Sequence, residues 1–219
     1  MSVRKLTAAV ITALLVAAVT VFANVLGISP AAADTATVML TATADTYVSK
    51  SAPTTNYGSA TTLTISANTH RSFFRFSTSA LPAGVSLTGA TLRLYSTTAA
   101  KGGFEVHPLA DGWAESTVTY NTAPAWNKTI LGSSSNPARN AWFAISLPTT
   151  GIAVGGNVSL GVSGYGGILG SVASRETANK PQLILTYTTT TSSTTSTSTT
   201  SSTTSSTTST TTSTTAPTT

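Results

Sequence analysis

The sequence predicts an all-β domain, a two-sheet antiparallel β-sandwich of the jelly-roll kind, preceded by a signal peptide and followed by a disordered Ser/Thr stalk. Three observations carry this expectation. Short segments rich in β-branched and aromatic residues recur with period-two alternation through residues 34–187, turn residues separate them, and no segment there has a helical period. Eight or nine strands at such spacing argue for two stacked antiparallel sheets.

In chain order the segments are TVMLTAT from Thr37, TTLTIS from Thr61, RSFFRFS from Arg71, GATLRLYST from Gly89, GFEVHPL from Gly103, AWFAISL from Ala141, NVSLGVSG from Asn157 and PQLILTY from Pro181. DTYV at Asp45–Val48 alternates in the same way, and SAPTTNYG after it reads as a turn-rich connection. Breaks fall at Pro82-Ala83-Gly84, Lys101-Gly102-Gly103, Asn136-Pro137 and Gly155-Gly156-Asn157. In ATLRLY the alternation sends Ala90, Leu92 and Leu94 to the core and Arg93 and Tyr95 outward.

The chain ends are of a different kind. Residues 1–33 read as a secretory signal: Arg4 and Lys5 lead an apolar run from Leu6 to Ile28, Ser29-Pro30 breaks it, and Ala31-Ala32-Ala33 offers a cleavage site. The run is long enough to span a bilayer and would anchor an uncleaved chain. Cleavage is the expected outcome, giving a secreted, extracellular or cell-surface protein with no membrane contact. Residues 188–219 are almost entirely Ser and Thr and bury too little to offset the entropy of ordering. They read as a flexible or O-glycosylated linker that could reach roughly 100 Å.

The 34–187 domain has no cysteine, so it depends on its core rather than on disulfides, and zinc–thiolate chemistry is excluded. Without Arg4 and Lys5 it carries nine basic against six acidic residues, the bases scattered singly from Lys50 to Lys180. Nucleic-acid binding calls for clustered bases, so that partner is set aside. Six carboxylates are few for a glycosidase, and no spacing pairs any two of Glu105, Asp111, Glu115 and Glu176 across a scissile bond. GVSGY lacks the second glycine of a nucleophile elbow, and both His70 and His107 precede it. His107 with Tyr120 is the one acid–base combination to weigh for a lyase; lone histidines at strand ends are ordinarily structural. Calcium leaves no linear motif, and Asp45, Asn56 or Asp111 could ligate it.

Across the domain, ADTYV followed by NYG, RSFFRF, LPAGVSLTGATLRLY, DGWAESTVTYNTAP and SRETANKPQLILTY resembles, block by block and in order, the bacterial DNRLRE-domain family, also classed as carbohydrate-binding module family 96. The resemblance covers Ala44 to Tyr187. Two positions depart from it: Tyr120 stands where the family commonly carries tryptophan, and Ser77 where an aspartate is frequent. The resemblance implies a jelly-roll sandwich acting as a non-catalytic accessory module of a secreted polysaccharide-degrading enzyme or surface protein. Its relatives are linked with acidic polysaccharides such as alginate and with a structural calcium ion.

A sugar site needs aromatic faces for pyranose rings, and an acidic polymer adds Lys and Arg around them. Trp126 and Lys128, in a loop rich in Pro, Asn and Ser, are the leading candidates, with Arg139, Tyr165, Lys50 and Lys101 in other loops. Trp126 is open to a packing reading as well; Trp113 is assigned to the core, and one of Trp142 and Phe143 must join it. A clasp is expected where the chain ends meet, Asp45 pairing with Arg75 or Arg175 beside Glu176, or ligating a structural cation. The leading function is a polysaccharide-binding module on a stalk, with a catalytic module downstream in a longer form. A structural or adhesive surface module without a sugar ligand is the alternative, and a small polysaccharide-acting enzyme the third reading.

Overall fold

The computed structural model describes residues 33–100, 102–165 and 169–190. Residues 1–32 of the expected signal peptide, most of the Ser/Thr tract and Lys101 lie outside the described residues, while Ala33 already belongs to the first strand. Among those described there is no helix, and eleven strands form two antiparallel sheets.

In chain order the strands are β1 (Ala33–Thr41), β2 (Ala44–Ser49), β3 (Thr62–Ser66), β4 (His70–Ser77), β5 (Ser86–Ser96), β6 (Phe104–Pro108), β7 (Gly132–Ser133), β8 (Ala141–Leu147), β9 (Asn157–Gly164), β10 (Leu169–Ala173) and β11 (Gln182–Thr190). One sheet runs β1-β11-β5-β10-β3 with β8 on the other side of β5; the second runs β2-β4-β9-β6-β7. From β1 to β6 successive strands alternate between the sheets, so each hairpin-sized connection crosses the core rather than extending one sheet. β1 pairs with β11 along its whole length, from Ala33 opposite Thr190 to Thr41 opposite Gln182. The last strand therefore continues three residues into the tract that reads as stalk.

Alternation places the core as the sequence pattern requires. In β5, Ala90, Leu92 and Leu94 are buried while Thr91, Arg93 and Tyr95 are half-buried on the opposite face. They meet Phe74 and Phe76 of β4, Phe104 and Val106 of β6, and Val158, Leu160 and Val162 of β9 in one continuous core. Two strands escaped the sequence reading. β7 is two residues long, and β10 (LGSVA) is mostly small residues, which carry little strand signal.

One feature of the β4 sequence matters for function. Phe73 and Phe74 point to opposite faces of the sheet, yet both are buried. The reason is the long segment between β6 and β7, which lies over the outer face of the β2-β4-β9-β6 sheet. Leu109, Trp113 and Val118 from this segment pack with Ala44, Val48 and Phe73 as a second small core, with Tyr120, Ala123 and Trp126 at its margin. The NYG turn after β2 fits closely against the same segment. A Cβ on Gly58 would lie 2.2 Å from the Glu115 carbonyl oxygen, so only glycine passes there.

Candidate functional site

Strand register gathers several of the expected ligand residues at one end of the second sheet. Ser49 pairs with His70, and Phe104 with Gly164; continuing the β4–β9 register sets His70 beside Gly164. The row Ser49–His70–Gly164–Phe104 thus crosses four strands, and Lys50 and Tyr165 each lie one residue beyond it, about 10 Å apart at the backbone. Tyr165 is 37% exposed and donates its hydroxyl to the Ser134 carbonyl at 3.2 Å. Asn136 Oδ1 accepts the Gly102 amide, tying the 134–140 loop, and with it exposed Arg139, to the same end. Lys50, Tyr165 and the loop carrying Arg139 lie along the same end of the sheet, spread from its β2 edge to its β7 edge, although they are far apart in sequence.

Trp126 and Lys128 lie on the covering segment, and Trp126 rests over the middle of the outer face, against Gly161 and His107 three residues in from this row. Trp126 is half-buried, resting where Gly161 has no side chain: a Cβ there would lie 2.6 Å from its Cζ3. The Arg71 guanidinium sits 4.5 Å from the Trp126 ring centre, and the His107 ring 4.6 Å from it. Lys128 is exposed two residues on. His107 is structural. A carbonyl can only accept, so Nδ1–H donates to Thr129 at 3.0 Å, and Nε2 takes the Ser163 hydroxyl at 3.2 Å. Burial holds the imidazole below its usual pKa, opposed by the Thr129 contact and by Glu105. His70 is held low by burial as well, and its two nitrogens meet Ser49 and Thr69 hydroxyls at 3.2 and 2.9 Å. Both rings have their nitrogens occupied within the protein.

The opposite end of the sheet holds four of the six carboxylates. Asp45, at 0% exposure, accepts the Arg175 backbone N–H through Oδ2 at 2.7 Å. The Arg175 guanidinium goes instead to Glu115, through Nε and Nη2 at 2.7 Å each, and its Nε lies 3.2 Å from Glu176. Glu115 Oε1 also accepts the Asp45 N–H at 2.7 Å. The Asp45–Arg75 pairing expected as an alternative is absent, because Arg75 turns to the outer face. There it binds the Asp111 carboxylate at 2.5 Å and lies 4.4 Å from the centre of Trp113. Trp113 is buried, and its Nε1–H donates to Ser159 at 3.2 Å. Asp111 also accepts Ser159 Oγ at 2.6 Å and Asn157 Nδ2 at 3.0 Å. Partial burial raises its pKa, but those hydrogen bonds and Arg75 outweigh it and hold the carboxyl below its usual value.

Asp45 has the opposite balance. Desolvation dominates, Glu176 and Glu115 add repulsion, and its pKa is pushed up to about 8 against the Arg175 amide contact. Its Oδ1 is buried with no hydrogen-bond partner. Oxygens of Asp45, Glu115 and Glu176 lie within 4.8 Å of one another. Such a hard-oxygen set suits a calcium-type cation, with Asp45 as the member short of a partner. Asp111 and Asn56 fit that role less well. Asp111 stands outside that group, bound to Arg75, Ser159 and Asn157, and Asn56 acts as a loop staple. Its amide donates to the Glu115 and Val118 carbonyls at 2.8 and 2.7 Å, while its Oδ1 accepts Gly58 N–H at 3.1 Å.

The sequence matches carbohydrate-binding module family 96 over residues 36–187, which spans both sheets and both ends just described. The chain belongs to carbohydrate-binding module family 96. No curated protein matches it. Carbohydrate binding is therefore the class of activity, and a polysaccharide the class of ligand.

For a family 96 module, the sequence reading left out two residues that the structure puts in prominent places. Arg71 reads as an ordinary outward strand position, and only the tertiary contact with Trp126 distinguishes it. Glu115 was weighed only as one of several unpaired acids, although it lies in the same DGWAEST block as Trp113. The third arginine–tryptophan pair, Arg93 4.4 Å from the Trp142 ring centre, lies on the outer face of the other sheet, with Arg93 bound to Gln182 at 3.0 Å. Trp142 is thus the outward member of its pair, and Phe143 packs on the core.

Proposed function

We propose that the chain is a secreted, non-catalytic module, of the DNRLRE and jelly-roll type, that binds an acidic, uronate-type polysaccharide and is tethered by its Ser/Thr tract. One observation carries the acidic preference. Asp45, Asp111, Glu115 and Glu176 collect at one end of the second sheet, with Arg75 and Arg175 paired among them. At the other end Lys50, Arg139 and Tyr165 are exposed, and Arg71 stacks on Trp126 with exposed Lys128 two residues further along the chain. Glu105 is the acid nearest them, and it lies 3.8 Å from His107. Positive groups beside aromatic rings suit a polymer of carboxylated pyranoses. Tethering lets such a module hold a partner near its substrate by raising effective concentration.

Affinity electrophoresis through gels containing alginate, pectate or neutral glucans tests the reading. Retardation by the uronate polymers, weakened by 0.5 M NaCl and by a Lys50→Ala/Lys128→Ala/Arg139→Ala variant, is expected. Retardation by neutral glucans alone would overturn the acidic preference. No retardation by any polymer would favour a structural or adhesive module. A structural calcium ion at Asp45, Glu115 and Glu176 belongs to the same proposal, and its role there is to hold the fold rather than the sugar.

A further inference from the structure

Arg71, Arg75 and Arg93 lie on strands, where the backbone fixes their position, and Arg175 follows β10 by two residues. Three have polar partners: Arg75 binds Asp111, Arg175 binds Glu115, and Arg93 binds Gln182. Arg71, on β4 between His70 and Ser72, has none among the described residues; its contact is the Trp126 ring, 4.5 Å from the guanidinium carbon. A half-buried guanidinium without a carboxylate, carbonyl or amide partner is under-used chemically. Its five N–H donors form a planar fork whose natural complement is a carboxylate, bound through two parallel hydrogen bonds.

We propose that Arg71, held against Trp126, is the residue that reads the carboxylate of the bound sugar. This rests on the acidic-polysaccharide reading and names the contact that gives it specificity. The argument is one of preorganisation. Lys50, Lys128 and Arg139 are exposed loop residues whose side chains must be ordered when a ligand binds, at a cost of roughly 0.5–1.5 kcal/mol each. Arg71 stands on a paired strand, opposite Val48, and stacking already restricts its guanidinium. Trp126 is itself fixed, because Gly161 leaves the space it occupies. A pyranose laid against the accessible part of Trp126 would carry its carboxylate towards the Arg71 fork. The lysines then supply long-range attraction, while Arg71 distinguishes a uronate from a neutral hexose. Glu105 forms no ion pair with it among the described residues, its carboxylate lying 3.8 Å from His107.

The test uses the full chain and a uronate hexasaccharide, followed by calorimetry and tryptophan fluorescence. Arg71→Lys keeps the charge and removes the fork, and Arg71→Ala removes both. Arg71→Lys is expected to weaken uronate binding by about tenfold or more, with its salt dependence close to that of wild type. Arg71→Ala should weaken binding further and lower the salt dependence. Circular dichroism and thermal unfolding of each variant show that the fold is intact. Lys50→Ala serves as a control that changes salt dependence with only a small loss of affinity. A sulfated glycan provides the second arm, because the fork also accepts sulfate; tighter binding to it than to the uronate would assign the site to sulfate esters. If wild type binds uronates and folded Arg71→Lys binds them equally well, the role of Arg71 falls and the acidic-polysaccharide reading stands. If wild type binds no acidic glycan, both fall together.

Discussion

Replacing Asp45 with asparagine tests the acidic end of the sheet, and the structure fixes the sign of its effect. Asp45 is at 0% exposure, has one unpartnered oxygen, and burial pushes its pKa up to about 8 in the folded chain from the ordinary carboxyl value of 3.8. Between those values the native state binds a proton that the unfolded chain has lost. Stability of the metal-free protein therefore falls as pH rises from about 4 to 8 and levels off above. The gap corresponds to roughly 6 kcal/mol between the two limits, an upper figure given the charges around it. Asparagine keeps an acceptor for the Arg175 amide and presents an N–H to the neighbouring carboxylates without the buried charge. In thermal unfolding with chelator, Asp45→Asn should match wild type within about 1 kcal/mol at pH 5. At pH 8 it should exceed wild type by about 2–4 kcal/mol, or at least 5 °C in Tm. Parallel Tm curves for the two proteins from pH 5 to 8 would refute the reasoning, since Asp45 would then be ordinarily ionised.

Three further predictions follow from the same geometry. Millimolar calcium at pH 8 should raise the Tm of wild type by several degrees, and Asp45→Asn should not respond. An equal response in both proteins would remove Asp45 from the cation site. Gly161→Ala places a methyl group into Trp126, so it should cost about 1–3 kcal/mol, redshift tryptophan emission and weaken polysaccharide retention together; unchanged retention would dissociate Trp126 from binding. Trp113→Ala should lose about 3–5 kcal/mol by chemical denaturation, from its ring and its contact with Arg75, while the surviving folded protein still binds.

Much of the scaffold was legible because alternation is a local signal. ATLRLY and PQLILTY state their buried faces outright, and the blocks from ADTYV to SRE carried the family resemblance. β10 was missed because LGSVA offers little apolar contrast between its faces. The site was legible only as a set of residue types. Lys50, Arg139 and Tyr165 could be named as loop residues, but their meeting at one sheet end depends on the registers of β2, β4, β9 and β6. Asp45 was expected to find an arginine; that it would take the amide of Arg175 while Glu115 took the guanidinium followed from how the covering segment packs.

The sequence by itself determined most of the strands, the cysteine-free core and the family, because those depend on period, composition and the order of blocks along the chain. Only the tertiary structure decided the separation of charge, which leaves Arg71 on Trp126 at one end and Asp45 beside Glu115 at the other. These contacts join strands and loops distant in sequence, and strand register and the path of one long covering segment set which side chains meet.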